Sequence, residues 1–319
     1  MGKKNLKAQL NFAVKSCFKG NDRQNGGYGA SKHSDMATGQ KNGKIYSWSS
    51  YNSRVDVACQ FSAFVRENYP QVTEARQLTK EMAESFLLSK SSTCTTETLD
   101  CYRSNLSSLA DNVNRTYRSA SIDLKVGKVM GITANQETRC KSMTTDHITA
   151  LRDSYKVGTT GYTAVSLAAI TGCRCSELVK LKPEQIHIGQ SSAIVQVIGG
   201  KGNRDRKIAI TDPKGIETLA EIKAAATPGE RILPCKSGSL QKSINRHMST
   251  LTGSNGGSMK SEYRHTGFHA IRKNFAQREY DRYRQDHTRQ QSLDFVSRQL
   301  GHGAGRDLAT LQRYVSNIY

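Results

Sequence analysis

Arg174 stands inside an otherwise apolar run, AAITGCRCSELVKL. A charge in a segment that must be buried is costly unless a partner or a ligand meets it. Glu177, one helical turn further on, is the nearest candidate partner. Any fold of this chain must therefore either neutralise Arg174 internally or present it to something anionic.

Composition favours an anionic partner. Lys and Arg number 47 against 27 acidic residues, a formal charge of +20, with a pI near 9.7. Such an excess points to a polyanion, nucleic acid first and an anionic membrane surface second. No apolar run reaches membrane-spanning length and no secretory leader opens the chain. The expectation is a soluble cytoplasmic protein, nucleoid-associated if bacterial. The eight cysteines include no Cys-x-x-Cys, so they read as reduced thiols rather than a disulfide or zinc framework.

The 319 residues suffice for two domains. Residues 1–44 are basic and rich in Gly and Asn, with an apolar stretch at Leu6, Leu10, Phe12, Ala13 and Val14 that could form one short helix. They read as a weakly ordered arm. Residues 45–138 carry helical periodicity at Val55–Val65, Thr79–Leu88 and Leu99–Val113. Residues 139–148 read as a linker. Residues 149–319 form a second domain of helices with one β-hairpin, AIVQVI and RKIAI flanking GGKGNRD. The final helix is expected over 308–315. The predicted class is mainly α with a small β-hairpin or sheet.

The second domain carries an ordered set of chemical groups. After Arg174 and Glu177 come Lys201 in the hairpin tip, His269-Ala-Ile-Arg272, Leu-Gly-His302, and Tyr314 in ATLQRYV. Breaking a phosphodiester needs a nucleophile, cations on the non-bridging oxygens and a proton for the leaving oxygen. Arginine suits the second task, because its planar fork takes two oxygens and stays charged. Lysine or histidine suits the third. Tyrosine attacks best where cations lower its pKa from about 10. Taken singly, each residue has an ordinary structural reading: an ion pair, an exposed turn, a helix cap or a core tyrosine. The GGKGN loop lacks the spacing of a nucleotide-binding loop.

The set resembles the tyrosine recombinases, or phage-type integrases, over roughly residues 145–316. TGCRCSEL resembles the family's first arginine motif, GKGNRDRKI its hairpin lysine, HAIRKNFA its His-x-x-Arg box, QLGH its Leu-Gly-His segment, and ATLQRYV its nucleophile segment. The resemblance implies a helical core-binding domain followed by an α+β catalytic domain. It implies Tyr314 as nucleophile, forming a 3′-phosphotyrosine link with a free 5′-hydroxyl. Arg174, Arg272 and His302 would hold the phosphate, Lys201 would protonate the leaving oxygen, His269 would assist, and Glu177 would orient the site. Neither metal, ATP nor any other cofactor is implied. The implied partners are double-stranded DNA at specific sites and a homo-tetramer on paired sites, with room for accessory DNA-bending proteins of host or element. Tyr314 follows His302 at more than the family's usual spacing, which keeps Tyr319 as a rival nucleophile.

Three other readings stay open at this point. A type IB topoisomerase-like enzyme would use the same chemistry without exchanging partners. A catalytically silent DNA-binding protein would not require a nucleophile. A metal-dependent nuclease would need clustered carboxylates, whereas the acidic residues of the second domain are scattered.

Overall fold

The computed structural model describes residues 5–19, 34–39, 43–118, 120–133, 141–200, 204–302 and 311–319. The chain divides into two compact units, Met1–Ala134 and Asn135–Tyr319.

The first unit is built from helices α1 (Leu6–Ser16), α2 (Trp48–Asn68), α3 (Lys80–Lys90) and α4 (Thr96–Thr116). The α4 stripe of Leu99, Leu106, Leu109 and Val113 is buried, as its spacing predicts. Helix α1 is the short helix that the apolar positions from Leu6 to Val14 allow within the N-terminal arm. Asn5 caps it by accepting from the Ala8 N–H, and Leu6, Leu10, Ala13 and Val14 are buried. Gln9 then ties α1 to the loop before α3, accepting from the Ala75 N–H at 2.9 Å and donating to the Thr73 carbonyl at 3.0 Å. Four apolar positions on one stripe outweigh the polar composition of residues 1–44 as a whole. After α4 the chain runs extended, burying Ala120, Ile122, Leu124 and Val126 in alternation.

The second unit begins before residue 149. Met143 is buried in its core and donates its N–H to the Ala270 carbonyl at 3.1 Å. Thr144 caps helix α5 (Thr145–Asp153). The expected linker is therefore part of the second unit from Met143 onward. Helix α6 (Thr160–Thr171) is apolar on most faces and lies inside. A short helix α7 (Cys175–Leu178) follows.

Next comes an antiparallel sheet in the order β1 (Ile186–Ile188), β2 (Ala193–Val197), β3 (Arg206–Ile210). The hairpin register pairs Ala193 with Ile210, Val195 with Ile208 and Val197 with Arg206. Strand β1 is too short to show a period of its own. The inward row of β3 is thus Arg206, Ile208 and Ile210, since side chains alternate faces along a strand. Helices α8 (Pro213–Ala225), α9 (Ser237–Thr250), α10 (Met259–Glu262), α11 (His269–Arg284) and α12 (Arg289–Gln299) complete the unit. Of the expected final helix, the described part is Leu311 and a turn through Tyr314. No helix among the described residues is long and apolar enough to cross a membrane.

Candidate active site

Helix α6 ends at Gly172, whose φ is 59°. That left-handed turn releases the chain into Cys173 and Arg174. A Cβ at Gly172 would also lie 2.3 Å from Phe275 Cδ1 on α11, so the turn can pack this closely only as glycine. Arg174 then occupies the N-cap of α7, where its N–H donates to Glu177 Oε2 at 2.9 Å. Its Nη1 donates to Glu177 Oε1 at 2.8 Å. This is the ion pair that the apolar run demanded, and a second cation shares it. Arg206, from the inward row of β3, donates Nη1 to Oε1 at 3.0 Å and Nη2 to Oε2 at 2.7 Å. The Arg206 and Glu177 side chains are 6% and 4% exposed. Burial pushes the Glu177 carboxyl up, but the Arg206 bonds and charge, with the Arg174 bonds, hold it down at about 2.

Helix α11 brings the next two groups. Arg272 is 1% exposed. It donates Nη1 to the Gly172 carbonyl and Nη2 to the Leu300 carbonyl, each at 2.5 Å. Its Nε is buried with no hydrogen-bond partner among the described residues. Burial and the charge of Arg174 bring its guanidinium down to about 10, so it remains a cation at neutral pH. One turn earlier, His269 is pushed down to about 4 by burial and by the charges of Arg272, Lys273 and Arg174. It is therefore neutral at pH 7.

Tyr314 closes this group. Its ring centroid lies 5.5 Å from Arg272 Cζ, 5.4 Å from the His269 ring and 5.0 Å from the His302 ring. Both imidazoles stand edge-on to it. A tyrosine, a buried arginine and two histidines, brought together from α11, the turn after α12 and the C-terminal segment, match the motif order of a known family along the same stretch. Residues 141–319 match the phage integrase family. The chain belongs to that family. Its activity is integrase-type DNA recombination.

Solved structures agree on the fold of this integrase. A XerH site-specific recombinase bound to palindromic difH substrate, in a post-cleavage complex, has a TM-score of 0.60 at 16% identity, over 97% of this chain and 90% of that one. A lambda integrase tetramer bound to a Holliday junction scores 0.58 at 16% identity, over 97% and 77%. A lambda integrase dimer bound to a COC′ core site scores 0.55 at 16% identity, over 94% and 95%. No curated relative matches the chain.

The rival tyrosine lies elsewhere on the integrase. Tyr319 packs edge-on against Tyr280 and donates its hydroxyl to Asp281 at 3.4 Å. Its carbonyl accepts from Tyr280 Oη at 2.8 Å and Arg284 Nε at 3.1 Å. Arg174, Glu177, His269, Arg272, His302 and Tyr314 fall in one region. Lys201 lies outside the described residues.

Beside Arg174 and His269 opens a cleft of about 730 Å³, lined among others by Gln241 and Asn245 of α9 and by Lys260 and Arg264. Two residues of the site escaped the sequence reading. Arg206 was legible as an inward position of β3 once the hairpin register was assigned. Lys273 is 3% exposed and helps depress His269; it follows the His-x-x-Arg box directly, but no sequence pattern sets it apart from a surface lysine.

Proposed function

We propose that this integrase cleaves one DNA strand with Tyr314 as the nucleophile. The Tyr314 hydroxyl gives up its proton and bonds to the scissile phosphorus. The bond from phosphorus to the 5′ oxygen breaks, and that oxygen leaves as a hydroxyl. Arg174 and Arg272 neutralise the charge that builds on the non-bridging oxygens, and His302 contacts the same phosphate. Such preorganised donors each contribute on the order of 100-fold or more to a rate. His269, neutral at pH 7, is able to accept a proton as the tyrosine attacks. Lys201 supplies the proton to the leaving oxygen. Glu177 fixes Arg174.

The phosphotyrosine link retains the energy of the broken bond, so a free 5′-hydroxyl of another strand can reverse the step and exchange strands. Double-stranded DNA at specific sites is the substrate, and four copies on paired sites are the working assembly. The net charge of +20 and the cleft beside Arg174 support a phosphate-contacting surface.

The observation that carries this reading is the company Tyr314 keeps: Arg272, His269 and His302 all lie around its ring, whereas Tyr319 is held by Tyr280, Asp281 and Arg284. The test is covalent trapping on nicked duplexes tiled across the DNA flanking the gene. An adduct that survives denaturant, persists in Tyr319→Phe and disappears in Tyr314→Phe is the expected result. Loss only in Tyr319→Phe would overturn the residue assignment. No adduct, with binding intact, would overturn the cleavage reading.

A further inference from the structure

Two buried arginines grip consecutive carbonyls of the turn that leads to His302. Arg272 Nη2 holds the Leu300 carbonyl. Arg206 Nε holds the Gln299 carbonyl at 2.9 Å. Gly301, with a φ of 72°, lies against the Arg206 stem so closely that a Cβ there would come within 2.9 Å of Arg206 Cδ. Gln299 adds a second tie to β3, its Oε1 accepting from the Ala209 N–H at 3.2 Å. The turn before His302 is moulded on Arg206.

The other end of the same guanidinium saturates Glu177. Each carboxylate oxygen accepts one bond from Arg174 and one from Arg206. With Arg174 alone, the single negative charge of Glu177 would face a single positive one and draw it inward. With Arg206 taking both oxygens, the three groups sum to one net positive charge. Among the described residues Arg174 uses only Nη1 of its guanidinium on Glu177, which leaves Nε and Nη2 for a phosphate.

We propose that Arg206 is a positioning residue for strand cleavage, acting through Glu177 on Arg174 and through the 299–301 turn on His302. It does not meet the DNA itself. This rests on the cleavage reading above. A shift of a phosphate-binding group by about 1 Å is enough to slow such a step by roughly 100-fold. Overall DNA affinity comes from many phosphate contacts and should hardly change.

The experiment compares wild type, Arg206→Lys, Arg206→Gln, Glu177→Gln and the Arg206→Lys/Glu177→Gln pair on the nicked duplex that wild type traps best. Single-turnover adduct formation is measured with protein in excess, and affinity is measured on the same duplex. Thermal melting establishes which variants are folded. Arg206→Lys keeps the charge but not the fork, and it is the variant to rely on if Arg206→Gln melts.

The expected result is adduct formation slower by about 10- to 100-fold with affinity within about threefold of wild type. The loss in the double variant should fall short of the product of the two single losses, because the two residues share the path through Arg174. A wild-type rate in folded Arg206→Lys would overturn the proposal. So would a loss of affinity that matches the loss of rate, or a double variant whose loss multiplies the two single losses. An adduct absent from wild type as well would instead sink the cleavage reading, which keeps the two failures apart.

Discussion

Arg272 and Gly172 are joined by a 2.5 Å hydrogen bond from Nη1 to the glycine carbonyl. That bond fastens the His-x-x-Arg helix to the loop that carries Arg174. The contact ties the placement of Arg272 to that of Arg174, and it runs through a glycine whose left-handed turn and close approach to Phe275 disfavour any side chain.

Arg272→Lys tests the buried fork. A lysine cannot reach the Gly172 and Leu300 carbonyls together, so one buried acceptor loses its partner at a cost of about 1–3 kcal/mol. Adduct formation should fall by on the order of 100-fold or more. Urea unfolding and trapping kinetics on the same preparation check both halves. A variant as active as wild type would remove Arg272 from the proposed mechanism.

Gly172→Ala should destabilise the fold without touching any charged group. The φ of 59° disfavours a side chain, and the new methyl would meet the Phe275 ring. The overpacking alone costs about 1–3 kcal/mol. A urea midpoint unchanged from wild type would show that the loop and α11 separate more easily than the geometry implies.

His269 gives the stability a pH dependence of known sign. Its imidazole titrates at about 4 when folded, against an ordinary 6.5, chiefly through burial. The unfolded chain therefore binds this proton first. The contribution is fully present above pH 6.5 and is lost as pH falls toward 4. His269→Gln should lose less stability than wild type across that window, as read by urea midpoints at several pH values. Equal slopes in the two proteins would contradict the burial of the ring. Glu177, held at about 2 against 4.5, acts in a lower window, its contribution fading as pH falls from 4.5 toward 2.

Lys260 and Arg264 line the cleft beside Arg174, and both are exposed. If each neutralises one DNA phosphate, Lys260→Gln and Arg264→Gln should each lower the steepness of log affinity against log salt by about 1. Melting temperatures should stay unchanged. Unaltered salt slopes would place the duplex elsewhere on the second unit.

Much of the site could be read along the chain because its parts lie in short local patterns. A charged residue in an apolar run, a histidine and arginine one turn apart, and a Leu-Gly-His stop are each visible within a few residues. The helices of the first unit were legible for the same reason, since Leu99, Leu106, Leu109 and Val113 repeat at helical spacing. Helix α1 was legible from the apolar positions Leu6, Leu10, Ala13 and Val14, but its packing was not, since the surrounding stretch is basic and rich in glycine. Strand β1 was missed because three residues show no period.

The sequence by itself determined the order of the chemical groups, their charge balance, and the helices and hairpin that bear them. It set Tyr314 in the nucleophile segment and kept Tyr319 as a rival, because Tyr314 follows His302 at a long spacing. Only tertiary structure brought the Tyr314 ring against Arg272, His269 and His302, residues contributed by α11 and by the turn after α12. It also revealed Arg206. An arginine on a strand looks like any solvated charge until the register turns it inward onto Glu177, and register is settled by pairing between strands rather than by neighbours along the chain.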